Sequence, residues 1–246
     1  MSPSPRIIAV IQARTGSQRL PQKVLRDLGG RSVLGWVVRA ARAARQVSRV
    51  VVATTTEASD DAVCAVADAL GVAVVRGSAD DVLARFCRTV EQHPADAVVR
   101  LTADCPLLDP TLIDQAAAVW LADPTLDYVS TTLTRTLPRG LDVEVVRTST
   151  LLGLETSARA HHRSHVTSAL YEPGSHYRTM GLCVSPSADD LRITLDTADD
   201  ARVLDALVAH LGDRLIPWRE QVDFLRAHPD IVAANSHVRQ RPLEAG

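Results

Sequence analysis

The sequence lacks most of the features that would place it in a specialised class. Cys64, Cys87, Cys105 and Cys183 have no CxxC spacing, so neither a zinc ribbon nor a disulfide framework is indicated. They read as reduced, small hydrophobic residues. Neither sign of charge dominates: 27 Lys and Arg face 29 Asp and Glu, for a net charge of −2. That balance argues against nucleic acid or an anionic membrane as a partner, and any attraction for phosphate must be local. No apolar run approaches the roughly 18 residues that span a bilayer, and the start, MSPSPR, carries no apolar h-region. A cytoplasmic protein is expected, with no membrane partner. A Walker loop, GxxxxGK[ST], is absent too, as are internal repeats and low-complexity segments.

What is present is a chain of 246 residues, 46% hydrophobic, long enough to bury a sizeable core as one α/β domain spanning 1–246. Short β-type runs alternate with longer stretches at helical spacing, the sequence form of repeated βαβ units and a mostly parallel sheet covered by helices. IIAVI (7–11), RVVVA (49–53), VAVVR (72–76) and AVVRL (97–101) read as strands buried on both faces. Helices are predicted over about 32–45, 59–71, 80–92 and 110–122, the first two capped by Ser32 and Ser59. The second half is less regular. DYVST (127–131) is strand-like, and LPRGLDVEVVR (137–147) alternates apolar and polar residues, predicting a strand exposed on one face that leaves the main sheet. Helices near 148–158 and 161–171, strands YRTMGLCV (177–184) and DLRITLD (190–196), and helices near 198–211 and 217–227 complete the pattern. The polar residues from about 235 to 246 read as a loosely held tail.

Three clusters carry chemistry. In IIAVIQARTGSQRLPQKVL a buried strand runs into a turn with Arg14, Gly16, Ser17, Arg19 and Lys23. Gly16 relieves steric limits on φ, and backbone N–H groups and cations can converge there on phosphate oxygens. The alternative is a basic surface loop with solvated charges. In VVRLTADCPLLDP a strand delivers Asp104 to a turn broken by Pro106 and Pro110, where parallel sheets bind ligands. LRITLDTADD places Asp196 at another strand end. Two such carboxylates facing a cationic loop suit a Mg²⁺-bound triphosphate, because Mg²⁺ takes one or two protein carboxylates and fills its other sites with phosphate and water. The alternative for these acids is helix capping. His161 and His162 lack the i, i+4 spacing of a helical metal site and read as surface residues.

With QARTGSQRLPQKVL, RGSADDVLARF, VVRLTADCPLLDP, PRGLDVEVV, HVTSALYE and RITLDTADD in this order, the chain resembles the spore-coat polysaccharide type of cytidylyltransferase, a group similar to the CMP-sialic acid and CMP-Kdo synthetases. The resemblance covers roughly residues 6–210. It implies a Rossmann-like nucleotidyltransferase that uses CTP and Mg²⁺, transfers CMP to an acceptor oxygen and releases pyrophosphate. Carried over, Arg14, Gly16, Ser17, Arg19 and Lys23 fall on the triphosphate loop, Lys23, Arg14 and Asp104 take catalytic roles, and Asp104 and Asp196 are the metal positions. Gln12 and Ala13 fall where the strand meets the pyrimidine; Thr54, Thr55, Gly77 and Ser78 line the base and ribose pocket.

For a small acidic acceptor the candidates are Arg139, Asp142, Glu144 and His165, with Arg139 holding an anion and His165 serving as hydrogen-bond partner or base. A turn arginine and exposed residues of an accessory hairpin are the alternative. The relatives also suggest a homodimer formed through about 135–185. Two further readings stay open: a cytidylyltransferase acting on a phosphonate or sugar phosphate, and a non-catalytic nucleotide-binding regulator.

Overall fold

The computed structural model describes residues 4–240. Among the described residues nine strands form: β1 Ile7–Gln12, β2 Asp27–Leu28, β3 Arg31–Ser32, β4 Arg49–Thr55, β5 Ala73–Gly77, β6 Ala97–Thr102, β7 Tyr128–Ser130, β8 Glu144–Arg147 and β9 Thr179–Gly181. The α-helices are α1 Val33–Ala43, α2 Asp61–Ala69, α3 Val82–Gln92, α4 Pro110–Ala122, α5 Thr148–Ser157, α6 Ala160–His165, α7 Ala198–Leu211, α8 Trp218–Ala227 and α9 Pro229–Ala233. No helix among the described residues is long and apolar enough to cross a membrane.

Seven strands make one mixed sheet in the order β5-β4-β1-β6-β8-β7-β9. Only β8 is antiparallel to its neighbours β6 and β7. Alternation along β1 explains why both faces are covered. Ile7, Ala9 and Ile11 enter one apolar layer with Leu34, Val37 and Leu112. Ile8 and Val10 enter the other with Leu83, Phe86 and Leu151. Each such aliphatic side chain contributes about 2 kcal/mol by leaving water.

The chain winds from β1 to β4 and β5 on one side, then returns through β6 on the other. Strand order therefore reverses between β1 and β6, opening a crevice at their C-terminal ends. The register aligns those ends: Gln12 stands opposite Ala53 of β4 and Thr102 of β6.

Several expectations change. Ser59 does not cap α2, which Asp60 precedes without a side-chain cap, and the 161–171 and 177–184 runs form only the α-helix α6 and the short strand β9. The 137–147 run is not a strand exposed on one face. Only Glu144–Arg147 is strand, and it lies inside the sheet. Its polar residues alternate because they are paired internally: Asp142 meets Arg135 at 2.6 Å, and Glu144 pairs with Arg100. DLRITLD is extended but joins the rest by a single bridge, Arg139 to Arg192, not as a strand. His162 is buried, its Nδ1 2.7 Å from Ser168 Oγ, while His161 is exposed as expected. Within the tail, Asn235 is buried and donates to Asp200 Oδ1 at 2.9 Å, and Gln240 accepts from Arg192 at 3.2 Å; residues 241–246 lie outside the described residues. Cys87 and Cys105 are buried, Cys183 is exposed, and none is in a disulfide.

Candidate active site

The loop after β1 is fixed from beneath by one buried carboxylate. Asp60 Oδ1 accepts from the Thr15 N–H and hydroxyl, each at 2.7 Å. Its Oδ2 accepts from the Thr54 hydroxyl at 3.2 Å, the Thr55 N–H at 3.3 Å and the Thr55 hydroxyl. Burial pushes the Asp60 carboxyl up, but these donors outweigh it and hold it below the usual carboxylate range. Thr15 in turn offers its carbonyl to the N–H groups of Ser17 and Gln22 at 2.8 and 3.0 Å. Gln22 adopts φ 57, ψ 17, a left-handed conformation that costs a non-glycine residue free energy and marks a constrained turn. Lys23 follows directly.

Lys23 Nζ lies 2.7 Å from Asp104 Oδ2 and 2.7 Å from Asp196 Oδ1. Around this bridge Asp196 also meets Arg19 at 2.9 Å and Arg192 at 2.8 Å. Arg192 continues to Asp200 at 2.8 Å. Asp200 is fully buried at the first turn of α7, where it forms a reciprocal capping box with Thr197. The acids Asp104, Asp196 and Asp200 are thus matched by Lys23, Arg19 and Arg192. Burial lowers the Lys23 pKa, but the fields of Asp104 and Asp196 outweigh it and raise it above the ordinary value. Burial pushes Asp104 up, and Lys23 reverses this, leaving it below the usual range.

Beside this cluster, Arg100 donates from Nε and Nη2 to Gln12 Oε1 at 3.2 and 3.0 Å. Because a guanidinium only donates, Gln12 must turn its amide oxygen toward it and keep the NH₂ for another acceptor. Glu144 holds Arg100 from behind and accepts from Tyr128 Oη at 2.9 Å and from the Thr167 hydroxyl. Thr167 is set by a rare turn: its N–H donates to the His165 carbonyl at 2.6 Å around Val166 at φ 57, ψ −61. A buried β-branched residue persists in that conformation only where its surroundings over-determine it.

These elements enclose a cavity of about 610 Å³. Of the residues singled out in the sequence, Gln12, Ala13, Arg14, Gly16, Ser17, Arg19, Lys23, Asp104, Asp196 and His165 line it. Gly16 does not need its φ freedom, since its φ is not positive; a Cβ there would meet nothing within 4 Å. Thr54 and Thr55 are not in the cavity wall, because their hydroxyls are committed to Asp60. Gly77 and Ser78 are outside the wall, to which their neighbours Ala79 and Asp80 contribute. Arg139, Asp142 and Glu144 are likewise outside it: Arg139 is tied by its backbone to Leu191 and Ile193, and the two acids are bound to Arg135 and Arg100.

Residues the sequence reading missed are Asp60, Arg85, Arg100 and Arg192. A signal existed for two of them. Arg100 interrupts the apolar run AVVRL, and Arg85 falls three residues after Val82 on the buried face of α3.

A switch-point crevice with a cationic loop and two facing carboxylates defines a nucleotide-handling α/β enzyme. Comparison with known proteins supplies the family. Residues 8–179 match the cytidylyltransferase family. The chain is 32% identical to the spore coat polysaccharide biosynthesis protein SpsF of Bacillus subtilis over 233 residues, covering 91% of this chain and 95% of that one. It superposes on a cytidylyltransferase from Leptospira borgpetersenii with a TM-score of 0.90 at 27% identity, over 97% of this chain and 100% of the other. A CMP:2-keto-3-deoxy-manno-octonic acid synthetase complexed with CTP shares the fold, with a TM-score of 0.64 at 20% identity over 84% of this chain and 99% of that one. The chain belongs to the cytidylyltransferase family of the spore-coat polysaccharide type and is a nucleotidyltransferase that moves a CMP group.

Proposed function

We propose that the cavity takes CTP with Mg²⁺ and transfers CMP to an oxygen of a small acidic acceptor, a sugar acid or similar molecule, releasing pyrophosphate. The observation that carries this reading is the Lys23 ammonium held 2.7 Å from both Asp104 and Asp196. The two carboxylates already share one cation, and their oxygens suit Mg²⁺, which needs few protein ligands. Among the described residues no cluster of three or more His, Cys, Asp or Glu could hold a metal alone, so phosphate and water would complete the shell. Bound there, Mg²⁺ would neutralise phosphate charge.

Transfer needs an acceptor oxygen in line with the Pα–O bond to the β-phosphate. The new P–O bond forms as the old one breaks, pyrophosphate carries away the electron pair, and the acceptor proton is lost to His165 or water. Lys23 would meet charge developing on the α-phosphate and leaving group. The loop fixed by Thr15 and Asp60 orients the triphosphate. Gln12, its amide turned by Arg100, presents a donor to the pyrimidine. Ser164 and His165 border the opposite wall, where the acceptor would enter. The same reading includes a homodimer; the exposed strand β9, with Met180 outward, supports it as a free sheet edge.

Pyrophosphate release from CTP, screened over sugar acids, phosphonates and neutral sugars, tests the acceptor class. Turnover with a sugar acid and none with a neutral sugar is expected. Turnover confined to phosphonates or sugar phosphates would refute the sugar-acid reading.

A further inference from the structure

Arg85 stands apart from the other cations of the molecule. It projects from α3 into the cavity wall and is only 2% exposed, a position in which an arginine needs a carboxylate or other anion to offset desolvation. Arg192, also buried, has two, Asp196 and Asp200. Arg85 makes no ion pair among the described residues. Its Nη1 donates to the Ser78 carbonyl at 3.0 Å, and its Nε is buried with no partner.

The nearby acids are committed elsewhere. Both Asp60 oxygens serve Thr15, Thr54 and Thr55. Asp81 caps the Ala84 N–H at 2.9 Å and pairs with Arg163 at 2.6 Å. Asp80 lines the same cavity without contacting Arg85. Burial first, then the Arg14 charge, lowers the Arg85 pKa to about 10, outweighing the opposing fields of Asp60 and Asp81, neither of which forms an ion pair with it. Arg14 lines the cavity as well and makes no hydrogen bond or ion pair among the described residues.

The cavity is therefore electrostatically lopsided. At one end Lys23, Arg19 and Arg192 are neutralised by Asp104, Asp196 and Asp200. Arg85 and Arg14, which line the same cavity, make no ion pair among the described residues. Gly77 leaves room for the stem of Arg85: a Cβ there would come within 2.7 Å of its Cγ. A buried, forked donor with an unpartnered Nε and no ion pair, beside a second cation, suits a ligand of full negative charge.

We propose that Arg85, acting with Arg14, seats a phosphate oxygen of the nucleotide's triphosphate chain, which makes it a binding residue of this site. The inference rests on the cytidylyltransferase reading and extends it to the part of the triphosphate away from the Asp104–Asp196 pair. A neutral base carbonyl is the weaker partner, because it leaves the doubled positive charge unanswered.

Calorimetric titration of wild type, Arg85→Met and Arg85→Lys with CTP, ATP, inorganic pyrophosphate and cytidine, together with their melting temperatures, tests it. Arg85→Met is expected to weaken CTP and pyrophosphate about ten- to hundredfold, leave cytidine binding unchanged, and melt no lower than wild type, since it removes an unpaired buried charge. Arg85→Lys should recover part of the phosphate affinity. Unchanged pyrophosphate affinity in Arg85→Met, or equal losses for cytidine and CTP, would overturn the assignment. So would unfolding of Arg85→Met together with full wild-type affinity in Arg85→Lys. The cytidylyl reading fails separately, if wild type binds ATP as well as CTP.

Discussion

The backbone N–H of Leu195 donates to the carbonyl of Asp104 at 2.8 Å. This bond, with the Thr194 hydroxyl on the same carbonyl at 3.1 Å, sets the Asp196 carboxylate beside that of Asp104 although the two are far apart in the chain. Lys23 then bridges them.

Replacing Lys23 by Met should therefore destabilise the metal-free protein, by about 3 kcal/mol, because two carboxylates lose the cation they share. Added Mg²⁺ should raise the melting temperature of Lys23→Met more than that of wild type. Equal response of the two proteins to Mg²⁺ would contradict a shared cation position. The pH dependence has a defined sign. The raised Lys23 pKa contributes stability that is complete below its unfolded value of about 10.4 and is lost as pH rises through the folded value. The lowered Asp104 pKa contributes stability present above about 3.9 and lost as pH falls through the folded value. Melting temperatures between these limits should be nearly flat with respect to this pair.

Gly140 has φ +113, and a Cβ there would lie 2.6 Å from the backbone carbon of Ile193 and the nitrogen of Thr194. Backbone cannot give way as a side-chain tip can. Gly140→Ala is expected to cost at least about 3 kcal/mol and to displace the segment leading to Asp196. Chemical denaturation reads the loss; a midpoint equal to wild type would contradict the close crossing.

Gly16 behaves oppositely. A Cβ there meets only open cavity, so Gly16→Val should leave the melting temperature within about 1 °C while weakening CTP at least about tenfold, since the side chain occupies ligand space. A loss of stability with unchanged CTP affinity would place the glycine's role in folding.

Much of this arrangement was legible in the sequence, and the exceptions have physical causes. Strands β1, β4 and β6 announce themselves because burial on both faces leaves Val- and Ile-rich runs, broken in β6 only by Arg100. Strand β5, at the sheet edge, is mostly half-buried although its run reads the same way. Lys23, Asp104 and Asp196 could be found because each stands where a strand or extended run gives way to a turn. Glu144 and Asp142 mislead: alternation of polar and apolar residues signals a solvated face only when the polar groups are unpaired, and here Arg100 and Arg135 neutralise them inside the fold. Thr54 and Thr55 look like ligand hydroxyls, yet their partner is the buried carboxylate of Asp60, which local pattern cannot reveal. His162 is buried by a pairing with Ser168 across a turn that only tertiary structure defines.

Gln12→Glu should lose base selectivity. The carboxylate still accepts from Arg100 but no longer donates, so the acceptor atoms on the pyrimidine face an anion. The CTP-to-UTP ratio of kcat/KM is expected to fall by about tenfold or more. An unchanged ratio in steady-state assays would remove Gln12 from base recognition.

The most direct test of cytidylyl transfer at the Lys23–Asp104–Asp196 cluster is pyrophosphate release from CTP, UTP, ATP and GTP. It is measured with Mg²⁺ and a sugar-acid acceptor, in wild type and in folded Asp104→Asn. Release with CTP alone in wild type, and with none of the four in Asp104→Asn, is the predicted result. Equal release from UTP, a preference for a purine nucleotide, or normal turnover in folded Asp104→Asn would contradict it.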